Sequence, residues 1–474
     1  MVKFILFGKD RLSQWTKAQS GVTADGLLGL LAQGANLGFV LVVYSWFVVL
    51  QQQDLAAFWL VLALLLSLMS QADFGFQISL SRNFSFVLAG AQRLQSEGVQ
   101  EPPSEGARNT KVDDTLAWSV ICAARRIYFR IGSCSALIGL PLGYLYLTSV
   151  GSPYSKLDLG ISWGIFSFAI AINFFLSPYS VALFGASKVR EWYLSILLNR
   201  GSFIVGLTLL SFDGLTLIDV ALCFLLGVLI SRGYVYHEAL PIFDRFKNQD
   251  AEYETVAATT RAVLPNALRL GLISMSAFLS LKFGALFLSS HIGVDKAEAL
   301  NFWSSVFIAI LALSSSFANT RAPSLAQLWV VGNENDIVRE VFWIYRNAVS
   351  VFLTLSTLIF IFSFFSPEPD LFSFPSFELP WLLALFVMYF LELLHSIACI
   401  IISTLNKIPF FWASILSGMA IVALTILWVP LIGWTAVILS QGLVQLAYNN
   451  WRWPLFLYAL LLRRLNVRKK LFGR

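Results

Sequence analysis

Apolar runs long enough to cross a bilayer recur along the whole chain, separated by short polar stretches. A hydrocarbon core about 30 Å thick takes roughly 20 residues of helix. Runs of that kind predict spans at 27–49, 56–80, 128–149, 160–184, 194–212, 215–236, 265–288, 298–320, 345–366, 380–403, 409–428 and 432–450. Lipid offers a backbone no hydrogen-bond partner, so each span must satisfy its own amides. The pattern therefore predicts an all-α, polytopic transmembrane protein of about twelve spans. Its least regular members are 194–212, which carries Arg200, and the close pair around Pro430 and Gly433.

The polar positions give the topology. Lys and Arg concentrate in cytoplasmic connections. With twelve spans and both termini cytoplasmic, 30 of the 33 basic residues fall on the inner side, Arg82, Arg200, Arg232, Arg269 and Arg321 among them. Lys156 and Lys296 fall outside, and Lys282 is left inside a span. A wrong span count would scramble this alternation from the error onward. Outer connections are short, and the longest, 366–378, is acidic. The inner stretch 91–114 is polar and contains Pro and Gly, the composition of a flexible loop.

Composition agrees. Only 13% of the 474 residues are charged and 57% are apolar, where a soluble chain has about 25% charged. The net charge of +6 is spread along the chain, so no basic patch points to a nucleic-acid partner. The four cysteines are scattered and form no CxxC, so neither a disulfide framework nor a zinc site is implied. Residues 1–17 have an apolar run too short for a signal peptide and read as an amphipathic lead-in to the first span.

The polar stretch 237–264 divides six spans from six. This predicts an N-terminal lobe (1–236), a cytoplasmic linker (237–264) and a C-terminal lobe with a basic tail (265–474). Internal matches support a duplication. Lys188 and Ser195-Ile196-Leu197 recur as Lys407 and Ser414-Ile415-Leu416 at an offset of 219, and Arg82 and Arg321 each follow the second span of their half. Two halves in the same orientation would be related by an axis along the membrane normal.

No enzyme signature stands out. There is no GxxxxGK[ST], and His237-Glu238 lacks the second His of a zincin, so no catalytic residue, cofactor or metal is expected. Attention moves to ionisable groups at membrane depth, which are costly and face a cavity or a partner. Lys282 sits deep in the seventh span, in SAFLSLKFGALFL. Glu392 and His395 share one face of the tenth span, either as a structural pair or as a proton or sodium site. Asp73, in the second span, either pairs with a neighbouring helix or joins them in ion coupling. Asn36, Asn173, Gln441 and Gln445 read as interhelical hydrogen-bonding residues, and Gly34 to Gly38 as a GxxxG packing motif.

The stretch 66–90 carries Asp73-Phe74-Gly75-Phe76 and then Arg82. Tyr179 to Lys188 and Arg321-Ala322-Pro323 continue the likeness, as do the span count, the two halves and the short outer loops. In these features the chain resembles the Wzx-type O-antigen translocases, the oligosaccharide flippases of the multidrug/oligosaccharidyl-lipid/polysaccharide (MOP) exporter superfamily. The loop 91–114 departs from the compact pattern of that family. The resemblance implies a flippase of the cytoplasmic (inner) membrane that moves a polyprenyl-diphosphate-linked oligosaccharide by alternating access. It implies as partners the lipid-linked oligosaccharide, membrane lipids, and a polysaccharide polymerase with other assembly proteins. A cation-lined cavity would offset the diphosphate charge. Lys282, Arg82, Arg321, Arg200 and Arg269 are the candidate substrate-binding residues, and Glu392, His395 and Asp73 the candidate ion-coupling residues. Two alternatives stay open: a drug or metabolite antiporter of the same superfamily, and a membrane enzyme of polysaccharide assembly.

The charge asymmetry is directly testable. Reporter fusions after Arg474 and within 366–378 should report opposite sides of the membrane. Same-side signals would refute the twelve-span topology.

Overall fold

The structure is a computed structural model. It describes residues 28, 31–32, 34–35, 39, 41–88, 93–94, 112–150, 153–186, 188–249, 253–331, 334–365, 375, 377–405 and 408–472. Among these residues the regular structure is helical and no strand occurs.

The first half comprises α1 (41–49), α2 (Gln53–Ser70), α3 (Phe76–Leu88), α4 (Asp114–Ser149), α5 (Lys156–Phe175), α6 (Ser177–Gly185), α7 (Val189–Leu210) and α8 (Leu217–Phe246). The second half comprises α9 (Tyr253–Leu281), α10 (Phe283–Ile292), α11 (Val294–Val331), α12 (Glu334–Phe365), α13 (Leu379–Ser403), α14 (Phe411–Ile432), α15 (Thr435–Ala447) and α16 (Asn449–Phe472). Ten helical stretches among the described residues are long and apolar enough to cross a membrane. The first predicted span begins outside the described residues. The last is divided between α15 and α16 at Tyr448. Large apolar side chains stand on the outside, Leu137 at 76% and Leu431 at 77% exposure, as a lipid-facing surface requires.

Several helices run beyond the apolar stretches that predict them. α4 starts at Asp114 rather than near 128, α8 continues to Phe246, and α9 begins at Tyr253, so much of 237–264 is helical. Loss of hydrophobicity ends a span, but it does not end a helix whose polar turns are capped and packed. Asp113 caps α4 by accepting from the Leu116 amide at 2.9 Å. Arg125 lies over Trp118 and Phe243, and Arg245 pairs with Asp114 at 3.7 Å. Thr216 and Asp219 start α8 with a reciprocal capping box.

The halves meet through α2 against α11 and α10, and through α3 and α4 against α9. The Asp73-Phe74-Gly75-Phe76 motif sits at this junction. It interrupts the second span with a short 3-10 turn, then Phe74 at φ 45° and Gly75 at φ 67°. A left-handed pair of this kind favours glycine. A Cβ on Gly75 would also lie 2.8 Å from Leu270 Cβ, and one on Gly271 would lie 2.6 Å from Phe74 Cα. Ser274 donates to Gln71 at 2.6 Å beside it. Ser119 and Thr259 hydroxyls join α4 to α9 at 3.0 Å, and Tyr146 donates to the Leu286 carbonyl at 2.7 Å.

The close approach at Gly271 sets an expectation. Gly271→Ala should destabilise the folded protein by about 1–3 kcal/mol, because backbone rather than a movable side-chain end stands in the way. Gly164→Ala, with open space beside it, should be near neutral. Thermal unfolding of the purified protein in detergent reads both, and equal effects would remove the special role of the junction.

Candidate functional site: a cation-lined cavity

A cavity of about 490 Å³ opens inside the first half and is closed by α11 and the α9–α10 kink of the second. Three cations line it: Arg200 of α7, Arg232 of α8 and Lys282 at the kink. The amides of Gln77, Asn173 and Asn199 share the wall with Ser67, Ser70, Ser195, Ser231 and Ser305. Trp59, Trp192, Phe39 and Phe224 supply aromatic surface. Among the described lining residues there is no Asp or Glu.

Each cation is fixed by its helix and by a specific contact. Arg232 Nε donates to Asn173 Oδ1 of α5 at 2.7 Å, and its Nη1 donates to Ser180 Oγ of α6. One side chain thus holds α8 against both segments of the fourth span, which kinks at Leu176 ahead of Pro178. Lys282 reaches across the junction and donates from Nζ to Ser67 Oγ of α2 at 2.7 Å. The Arg200 guanidinium lies 4.2 Å from the Phe39 ring centroid, a cation–π contact. Asn199 Nδ2 donates to Ser231 Oγ at 3.3 Å.

The hydrogen bonds of Arg232 and Lys282 go to neutral oxygens, so they orient these charges without cancelling them. Behind Arg232 stands Asp73, whose Oδ1 accepts from Tyr128 at 2.5 Å and which lies within electrostatic reach of Arg232. Charges of one sign in a cleft with low-dielectric walls give a strong local field. Here that field attracts anions. The amides, hydroxyls and indoles around it can hydrogen-bond to or stack on a polar, ring-bearing group.

The sequence-derived candidates fall into separate places. Lys282 and Arg200 meet in the cavity. Arg321 does not line it: it pairs with Glu340 at 3.1 Å and lies 4.5 Å from the Trp343 ring centroid, tying α11 to α12. Arg82 stands on α3, and Arg269 is exposed on α9. Glu392 and His395 are buried on α13, with Oε1 and Nδ1 3.4 Å apart, outside the cavity lining. Asn173, expected as an interhelical residue, is such a residue and a cavity one as well. Gln445 accepts from Asn449 at 2.8 Å near the α15–α16 break. Asn36 and most of the GxxxG run lie outside the described residues, as do Lys407 and most of 91–114 and 366–378.

Two corrections follow. Lys282 is not the lone deep cation, since Arg200 and Arg232, counted with the inner connections, share its cavity. Arg232 was not among the candidates, because it stands four residues from the end of the predicted sixth span, 215–236, and is counted with the inner connection. The signal that places it inside is the Tyr-rich continuation GYVYHEAL, which keeps α8 helical for fourteen residues beyond it, to Phe246.

No family model matches the chain, and no curated protein matches it. Solved structures do. An inward-facing multidrug resistance MATE transporter of the MOP superfamily aligns with TM-score 0.61 and 13% identity, over 91% of this chain and 96% of the other. An outward-facing conformation of a multidrug resistance MATE family transporter aligns with TM-score 0.62 and 14% identity, over 94% and 96%. A MOP superfamily transporter from Pyrococcus furiosus, described as having a binding pocket of reverse polarity that suggests a different function, aligns with TM-score 0.58 and 14% identity, over 92% and 96%. At these identities the likeness shows the fold: this is a multi-pass membrane protein with the fold of MOP superfamily transporters.

The placement of Arg321 predicts a structural phenotype. Arg321→Ala should lower stability by about 1 kcal/mol, from a partly exposed ion pair and a stacking contact. It should leave anion binding in the cation-lined cavity of the folded fraction unchanged. A selective loss of binding in stable protein would move Arg321 into the site.

Proposed function

We propose that this chain is a transporter of the cytoplasmic membrane that carries a polyprenyl-diphosphate-linked oligosaccharide to the outer leaflet. Transport proceeds by alternating access between the lobes 1–236 and 265–474. The observation that carries the reading is the cavity polarity: Arg200, Arg232 and Lys282 with no carboxylate among the described lining residues. A diphosphate and a sugar chain cannot cross hydrocarbon unaided, because each polar group would lose its water with nothing in return. Cations give the diphosphate charge-assisted hydrogen bonds, Trp192 and the amides suit the sugar, and the prenyl tail stays in lipid. Surface-polysaccharide assembly is the process such a carrier would serve.

The fold alone is equally compatible with a small-molecule or drug antiporter. A cationic cargo would be repelled by this lining, so the second reading is narrowed to an anionic small solute. Ion coupling is assigned in this proposal to the buried Glu392–His395 pair of the second half and to the half-buried Asp73 of the first.

Lys282 gives the decisive test, since among the described residues it alone brings a second-half cation to a cavity built mainly by the first half. Lys282→Ala should cut diphosphate binding and lipid-linked glycan translocation by about 10–100-fold, as expected for losing a hydrogen bond to a charged group. Lys282→Arg should retain part of both. Accumulation of undecaprenyl-linked glycan on the inner leaflet after deletion separates the flippase from the antiporter and from an assembly enzyme. Normal translocation by well-folded Lys282→Ala protein would sink the binding role.

A further inference from the structure

A second recess lies on the other face of the helix that walls the cavity. Eight residues of α7, from Leu194 to Leu209, with Leu226 and Ile230 of α8, enclose an outward groove of about 430 Å³. It carries no charge. Its one hydroxyl, Ser202 Oγ, donates to the Leu198 carbonyl at 2.6 Å and so adds no unsatisfied polar atom. Gly201 forms part of the floor, with open space where a Cβ would point. At 1.5 Å per residue the groove runs about 22 Å along α7, most of the hydrocarbon thickness.

α7 is a one-helix partition. Trp192, Ser195, Asn199 and Arg200 face the cavity, while Leu194, Leu198 and Gly201 face the groove. The two recesses begin within one turn of each other near the first turn of α7, which starts at Val189. A lipid whose anionic head lies in the cavity reaches the groove by passing its tail around the first turn of α7, where the two linings adjoin at Trp192 and Leu194.

We infer that the α7–α8 groove is a binding site for the isoprenoid chain of the lipid whose charged head occupies the cavity. The inference rests on the proposed anionic lipid cargo for the identity of the head. Methyl branches along an isoprenoid need recesses between ridges, and the bare backbone at Gly201 between flanking Leu and Val side chains provides one. The chain only exchanges lipid contacts for groove contacts, so its gain comes from packing rather than from leaving water. The effect expected is accordingly modest.

The experiment uses the full chain in phosphatidylcholine nanodiscs, with undecaprenyl diphosphate and inorganic diphosphate as probes. Wild type should prefer the prenylated probe. Gly201→Leu, which fills open space, and Leu226→Trp, which fills the groove from α8, should each reduce that preference roughly tenfold. Both should leave inorganic diphosphate binding unchanged, and Gly164→Leu should change neither. Photoreactive, uncharged undecaprenol should label 194–209 in wild type and not in Gly201→Leu. If diphosphate fails to bind while this labelling holds, the cavity reading falls and the groove stands. Diphosphate binding with full chain preference and unchanged labelling in both filled variants overturns the groove and spares the cavity. Conversion of a dimer to a monomer by Gly201→Leu, with chain preference intact, also overturns it by making the face a contact between copies.

Discussion

A cation at membrane depth must be solvated by something, and three cations lining one cavity constrain everything built around them. Arg232 is held by Asn173 and Ser180, and Lys282 by Ser67. These partners come from α5, α6 and α2, so orienting the charges also fixes how the helices pack. The fourth span kinks at Leu176 and the seventh at Lys282. The first kink lies between the segments that Arg232 grips, and the second delivers Lys282 to a cavity built by the opposite half. A straight seventh helix would present its side chains at a regular pitch down one wall. The kink is therefore part of the electrostatics of the site as well as of the backbone.

The architecture was legible because bilayer physics acts on long windows. Twelve runs and the Lys/Arg alternation survive errors of several residues at each boundary. What stayed hidden depended on shorter range. The rule that places basic residues in inner connections counts Arg200 and Arg232 with those connections, yet α7 and α8 extend on both sides of them and both line the cavity. Arg82 and Arg321 had equal claims in the sequence. The ion pair with Glu340, contributed by the next helix, separates Arg321 from the site, and nothing local to residue 321 announces it.

The motif that carried the family resemblance has a role in packing. Phe74 and Gly75 adopt left-handed backbone at the point where the second span breaks, and Gly271 of the opposite half accepts the Phe74 ring and backbone. Asp73 ends the 3-10 turn and binds Tyr128 rather than solvent. The motif is thus a junction between halves, with its acid placed between that junction and Arg232.

Fold and cargo are separate questions for this architecture. The aligned structures include multidrug transporters and a MOP superfamily transporter described with a binding pocket of reverse polarity, so one fold carries pockets that differ in polarity. Cargo class is then decided by the few side chains at depth. A drug cation entering this cavity would meet three like charges in a low-dielectric enclosure, where repulsion is far less screened than in water. An anion would meet the same charges as ligands already oriented by neutral partners. Replacing Asn173 or Ser67 by a carboxylate would pair one of the three cations and weaken the field that favours anions without altering the fold, so the neutrality of these partners sets the polarity of the cavity together with the number of cations.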